Sequence, residues 1–305
     1  MSVVQPIDPH ARFRTGAWLA VVAAAAFSTL AIFGRLAVDG GMRANTLLQW
    51  RFGIAAVVLA GAGHLSGRLG ARRRLVLLAG GLLYTLQTSL YFAALARITA
   101  GTTAFLLYLA PSFVILYAWV LGRPPTRQRL LAVALATAGL LVIAGVPGEA
   151  DRSAVGIALG LGAGATYAAY LLAGEMLMAG VPPLTIAAHS SVGAALGFVA
   201  LDLVGGRGLE PPTGSREWLL VGAVVLIPTL LAIPAVFAAI DRIGAAPTAI
   251  ITTLEPVFTA LLAWAVLAEA IRPAQALGGL LILAGAVLAR SRPRGPATDR
   301  PAGSS

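Results

Sequence analysis

The sequence contains no cysteine and no lysine. Without cysteine there are no disulfides, no thiolate chemistry and no cysteine-bound metal. The 22 basic residues are therefore all arginine, against 12 Asp and Glu; that exclusive use of arginine has no functional account beyond a compositional bias. Charge is scarce overall. Charged residues make up 11% of the chain and hydrophobic ones 58%, with a mean hydropathy of +0.87. A soluble domain needs far more polar surface than this. Histidines are few and scattered: His10 near the start, His64 at the end of an apolar run and His189 inside another. No pair of them has metal-ligand spacing, so no metal is expected. No P-loop or other nucleotide motif is present, which removes ATP as a direct energy source, and no cofactor is expected.

What fills the chain is a succession of apolar runs about twenty residues long, the length that crosses a bilayer as a helix. Each run is continuous and lacks period-two alternation, so the fold class is all-α integral membrane rather than a barrel. The spacing predicts ten transmembrane helices: Ala17–Val38, Asn45–Leu65, Leu75–Leu95, Thr102–Leu121, Leu130–Val146, Ala154–Leu172, Leu184–Leu203, Trp218–Ile240, Pro247–Leu267 and Pro273–Ala289. The run Ala23-Ala-Ala-Ala26 imitates a cleavage site but lies mid-span, so the first helix reads as uncleaved. Gly160-Leu-Gly162-Ala-Gly164, and Gly278-Gly279 with Gly285, resemble seams for close helix packing.

A net charge of +10 would suggest nucleic acid in a soluble protein. Here the arginines sit in short loops between spans, so no nucleic-acid partner is expected and the charge reports topology. A cytoplasmic N-terminus puts Arg12, Arg14, Arg68, Arg72, Arg73, Arg74, Arg123, Arg127, Arg129, Arg242, Arg290, Arg292, Arg294 and Arg300 inside. It leaves only Arg43, Arg97, Arg152, Arg207, Arg216 and Arg272 outside, with the acidic loops at Glu149 to Asp151 and Asp202 to Glu217. Both termini are then cytoplasmic, in a bacterial inner membrane.

The chain also writes one stretch twice. Phe92-Ala-Ala-Leu-Ala-Arg-Ile recurs as Phe237-Ala-Ala-Ile-Asp-Arg-Ile, and the shift of 145 residues continues through Thr103 and Thr248, Leu109 and Leu254, Pro111 and Pro256, and Trp119 and Trp264. Within that window Ala110 in the first copy stands opposite Glu255 in the second. Five spans per copy is an odd number, so the two copies cross the membrane in opposite senses, the sign of a repeat-built transporter. Trp119 and Trp264 then anchor opposite faces. The domains expected are a tail at 1–16, a first five-helix repeat at 17–146, a linker at 147–153, a second repeat at 154–290 and a disordered tail at 291–305.

These residues carry a resemblance. Leu254-Glu-Pro-Val-Phe-Thr-Ala-Leu-Leu-Ala-Trp, then Glu269, then Gln275-Ala-Leu-Gly-Gly-Leu-Leu-Ile-Leu-Ala-Gly285 resembles the C-terminal signature of EamA-like members of the drug/metabolite transporter superfamily. Ala110-Pro-Ser-Phe and Gly122-Arg-Pro-Pro-Thr-Arg-Gln128 look like its first-half counterpart, and Trp50-Arg51-Phe52 resembles the arginine signature of the second span. The likeness covers about residues 16–290. One departure is Arg123, where such proteins often carry a glutamate. The resemblance implies a secondary transporter, commonly an exporter of amino acids or related metabolites.

Ionisable groups inside a span are costly and ask for a partner or a function. Glu255, beside Pro256 at mid-span, is the proton-coupling candidate: the proline frees a carbonyl and kinks the helix into a cavity lining. The rival reading is a structural ion pair with an arginine. Arg51, beside Trp50, could hold a substrate carboxylate or bond helix-end carbonyls. Tyr84, Gln87, Thr88 and Tyr91 fall at i, i+3, i+4 and i+7, one polar-aromatic stripe. Tyr108, Tyr167, Tyr170, His189, Thr252 and Thr253 complete the substrate-binding candidates. Each has a packing alternative. Pro228 and Pro234 mark the eighth span as irregular. Glu175, at the end of the sixth span, needs no explanation on sequence grounds.

The expectation is a carrier of small solutes, not an enzyme, that works by alternating access in the lipid bilayer with the proton as a possible coupling ion. Its oligomeric state is left open. The rivals are an uptake, drug or nucleotide-sugar-like carrier, a channel, and an intramembrane enzyme. Phosphorylated cargo would call for several cations in the cavity, and only Arg51 is well placed. An enzyme would need a dyad or ligand cluster, and none is visible.

Overall fold

The computed structural model describes residues 9–65, 69–145, 152–177, 180–267 and 271–289. Among them all regular structure is helical: α1 (Pro9–Asp39), α2 (Ala44–Gly61), α3 (Ala71–Leu95), α4 (Ala100–Leu107), α5 (Ala110–Val120), α6 (Arg127–Ala144), α7 (Ala154–Leu177), α8 (Pro183–Val204), α9 (Ser215–Val225), α10 (Ala232–Ile243), α11 (Ala245–Thr252), α12 (Glu255–Leu267) and α13 (Pro273–Leu288). A π-helical turn, Leu226–Leu231, joins α9 to α10. The residues of the linker from 146 to 151, the tail 291–305, Glu149, Asp151, Arg68, Glu269 and Arg290 lie outside the described residues.

Counting α4 with α5, α9 through α10, and α11 with α12 as single segments, eight helices among the described residues are long and apolar enough to cross a membrane, and α13 is a shorter apolar one. α2 carries Asn45, Gln49 and Arg51 along its length, and α13 has only 16 residues. Helix ends move for local reasons. α6 starts at Arg127 because the Thr126 hydroxyl accepts from the Arg129 amide, and it stops at Gly145, whose φ of 81° no branched residue would favour. α1 begins eight residues before the expected start, running through Arg12 and Arg14; solvated charge does not stop a helix.

Large apolar side chains face outward along the helices, with Val204 89%, Leu219 75% and Val57 73% exposed. Inside, alanines such as Ala20, Ala23, Ala24 and Ala55 have no exposed surface and pack among larger buried side chains such as Phe52, Leu77 and Phe198. Small residues let helices approach closely, as packing in lipid favours. Trp119 and Trp264 are both outward-facing, 61% and 58% exposed.

Where backbones meet, only glycine fits. A Cβ on Gly81 of α3 would land on the Ser190 carbonyl of α8, and one on Gly193 would land on the Leu78 carbonyl. Gly139 of α6 faces Gly278 of α13 in the same way, and Gly285 lies against Ala132. Gly160 and Gly164 of α7 pack on Leu106. Gly162 and Gly279, expected in the seams, lie outside them; a Cβ there would make ordinary contacts at 3.5 Å with Leu90 and 3.6 Å with Val257. Gly81→Ala should therefore lower thermal stability by about 1–3 kcal/mol through forced separation of α3 and α8. Gly162→Ala should change it little. Thermal unfolding of the two detergent-solubilised variants checks the contrast, and equal stabilities would refute it.

Candidate functional site

Two helical segments break, and they break alike. Pro111 and Pro256 have no N–H, so neither helix can continue its hydrogen-bond ladder through them. The chain steps out at Tyr108–Leu109 and at Thr253–Leu254, then restarts as α5 and α12. In the first copy the Ser112 and Phe113 amides bond the Leu109 carbonyl; in the second the Val257 and Phe258 amides bond the Leu254 carbonyl. The two segments run in opposite directions. Arg123, just past α5, pairs at 3.0 Å with Glu175, and Glu175 also accepts at 2.6 Å from the amide of Ala245, the first residue of α11. One segment thus ends where the other begins.

A pocket opens at these breaks, lined by Tyr108, Ala110, Pro111, Tyr167, Ala249, Thr252, Thr253 and Glu255. Glu255 is the first residue of α12. Tyr108, Tyr91 and Tyr167 lie close to its carboxylate, Tyr108 with its hydroxyl against it. The Thr252 hydroxyl donates to the Ala249 carbonyl at 3.0 Å and the Thr253 hydroxyl to the Ile250 carbonyl at 2.6 Å. Among the described residues Glu255 forms no ion pair within 4.0 Å, and no three metal-ligating side chains come together. Ala110, Pro111 and Ala249 were not among the sequence candidates. The alignment of Ala110 with Glu255 was the signal for the first.

Arg51 lies in range of the Glu255 charge but spends its donors elsewhere. It is fully buried. Its Nε donates to Thr229 Oγ1 at 2.6 Å, its Nη2 to the Pro228 carbonyl at 2.8 Å and its Nη1 to the Tyr84 hydroxyl at 3.4 Å. The local sequence makes this anchor. Pro228 cannot bond the Val224 carbonyl, and the Thr229 hydroxyl takes it instead at 2.7 Å. In the π register the Ala232 amide reaches back to Ile227, which leaves the Pro228 carbonyl for arginine. Phe52 and Tyr84 flank the guanidinium at 4.7 and 5.9 Å.

From Arg51 a run of aromatic rings leads to the pocket. Tyr84 meets Tyr170 edge-on at 6.1 Å, and Tyr170 stacks on Tyr167 at 6.4 Å. The structure thus gathers Tyr91, Tyr108, Tyr167, Thr252, Thr253 and Glu255 at the breaks, with Tyr170, Tyr84 and Arg51 beside them. Gln87 and Thr88 are buried and hydrogen-bond each other at 3.4 Å, outside the pocket lining. The His189 Nδ1–H donates to the Thr185 carbonyl within its own helix at 2.9 Å. Trp50 points away from the pocket: its indole N–H donates to the Glu210 carbonyl at 3.0 Å and its ring meets Trp218 at 5.1 Å.

Two charged clusters clasp the halves at opposite ends. At the end carrying Arg123, Glu175 caps α11 because Gly244, at φ 85°, has no side chain to do so. Glu175, for which the sequence calls for no explanation, is thus the cap of a remote helix. At the end carrying Arg43, that residue pairs with Glu210 at 2.9 Å and with Asp202 at 3.8 Å. Asp202 also accepts from Gln49 and is buried rather than lying in an exposed loop.

Comparison with known proteins bears on fold and family. A family model described as the EamA-like transporter family matches residues 14–145 and again residues 154–291. A crystal structure described only as that of a protein superposes with a TM-score of 0.74 at 23% identity, over 90% of this chain and 97% of that one. At that identity it speaks to fold alone. No curated protein is similar enough to match this chain.

Proposed function

Because this chain belongs to the EamA-like transporter family, and so is a multi-pass membrane transporter, we propose that it is a secondary carrier exporting an amino acid or related small metabolite across a bacterial inner membrane in exchange for protons. The halves at 17–146 and 154–290 are inverted five-helix repeats with both termini in the cytoplasm, and they rock about the pocket between the two breaks. Glu255 carries the coupling: its carboxylate holds either a proton or the substrate, never both. Tyr91, Tyr108, Tyr167, Tyr170, Tyr84, Thr252 and Thr253 shape the pocket.

One observation supports this reading above the others. The lone carboxylate of the pocket sits at a helix break, close to the Tyr108 hydroxyl and free of any ion pair among the described residues. A carboxylate serving only to tie helices together would be matched to a cation, yet the nearest one, Arg51, is matched to Thr229 and Pro228. The same commitment of Arg51 argues against phosphorylated cargo, which needs uncommitted cations.

Counterflow tests the carrier. Full-length protein in proteoliposomes, loaded with members of a panel of unlabelled amino acids and amines, should accumulate the labelled counterpart transiently above the level in empty vesicles. A conducting pore without trans-stimulation would overturn the carrier reading in favour of a channel.

A further inference from the structure

We infer that the pocket recognises a protonated amine that carries no carboxylate beside it. The inference rests on the carrier reading above and narrows its cargo from amino acids and related metabolites to amines without the carboxylate.

The chemistry of the lining is one-sided. Four hydroxyls line the pocket, from Tyr108, Tyr167, Thr252 and Thr253. Two have already given their protons away, Thr252 to the Ala249 carbonyl and Thr253 to the Ile250 carbonyl, and that of Tyr108 lies against the Glu255 carboxylate. What those three still offer is lone pairs. Pro111 and Pro256 have no N–H to offer. The amides that follow them, Ser112, Phe113, Val257 and Phe258, are bonded to Leu109 and Leu254. No arginine or histidine lines the pocket, and Arg51 is tied to Thr229, Pro228 and Tyr84.

A ligand entering this space meets a carboxylate, acceptor oxygens and two tyrosines. An ammonium group suits all three: it pairs with Glu255, donates to the hydroxyl oxygens and rests against aromatic rings whose faces carry negative charge. A carboxylate suits none of them. It would face Glu255 as a like charge, with the Tyr167 hydroxyl as the one uncommitted donor among the four. A zwitterionic amino acid would satisfy its ammonium end and leave its carboxylate unpaired, so it should bind more weakly than the amine alone.

Three probes with one aliphatic tail separate the classes: butylammonium, pentanoate and norvaline, which offer the amine, the acid and both. Each is titrated against the detergent-solubilised full chain at neutral pH, with binding read as a saturable rise in unfolding temperature. Butylammonium should bind about tenfold or more tighter than norvaline, and pentanoate should give no saturable shift. Glu255→Gln should lose the butylammonium response. Tyr108→Phe keeps the ring and removes one hydroxyl, so it should retain the preference for the amine at reduced affinity; it serves as the reference if Glu255→Gln proves poorly folded. Pentanoate or norvaline binding as tightly as butylammonium overturns the inference. So does a folded Glu255→Gln protein that binds butylammonium unchanged, or a wild-type protein that does not bind it at all. If a zwitterion drives counterflow while butylammonium fails here, the carrier reading stands and the amine inference falls.

Discussion

Glu255→Gln is expected to abolish solute transport driven by a pH gradient, a fall of about 100-fold or more, in a protein that still folds and inserts. Glutamine keeps the size of the side chain and an oxygen to accept from the Tyr108 hydroxyl, so the packing at the break between α11 and α12 survives. What it cannot do is take up and release a proton. The other groups facing this position leave it alone in that role. Tyr91 on α3, Tyr108 between α4 and α5, and Tyr167 on α7 are phenols, and Arg51 on α2 is a permanent cation. Ala110 shows what the fold itself needs: the first copy makes the same break, with the same hydrogen bonds to Leu109, over an alanine. The carboxylate is therefore dispensable for the break and available for coupling. The measurement is proton flux, read by a pH-sensitive dye inside proteoliposomes when solute is added outside. Full solute-driven proton movement in the variant would sink the proton-carrier role and leave Glu255 a structural residue.

The contrast between Ala110 and Glu255 was legible without coordinates because both lie beside a proline in a repeated stretch. Proline acts through its own missing N–H and its own ring, so its effect is local and can be read from sequence. The two breaks fall where Pro111 and Pro256 demand. Helix ends were legible only approximately. Apolar runs locate the buried part of a helix, but Thr126 and Thr99 decide where α6 and α4 start by capping them, and α1 continues through charged residues that the hydropathy pattern excludes.

Placement across the bundle was not legible. Trp50 and Arg51 are neighbours in sequence and so point about 100° apart on a helix; only one could face the interior. The chain does not declare which, and it is Arg51. Glu175 was unreadable for a related reason. It caps a helix that starts 70 residues later, and the need for that cap arises from Gly244, a residue with no local signal for its remote partner. Gly162 and Gly279 belong to small-residue runs, yet the seams use their neighbours Gly160, Gly164 and Gly278. A run of glycines says that helices approach closely, and the rotation of each helix says where.

Arg51→Met is expected to destabilise the protein by about 2–5 kcal/mol, because it orphans buried acceptors rather than merely removing a contact. The amide that would serve the Pro228 carbonyl in a regular helix, that of Ala232, reaches Ile227 and Thr229 instead, and Arg51 donates to that carbonyl. Thr229 would keep its bond to the Val224 carbonyl and lose the strong donor at its oxygen. Arg51→Lys should recover only part of the loss, since one ammonium lacks the planar fork that reaches Thr229 and Pro228 together. The diagnostic experiment is a double-mutant cycle with Pro228→Ala. Alanine restores an N–H at position 228, which can bond Val224 and let the segment return to the α register, closing the carbonyl that Arg51 now serves. In that background Arg51→Met should cost less, by about 1 kcal/mol or more, in the thermal unfolding of the solubilised protein. Equal costs in both backgrounds would mean that Arg51 is held for something other than the π turn, with the charge of Glu255 as the next partner to test.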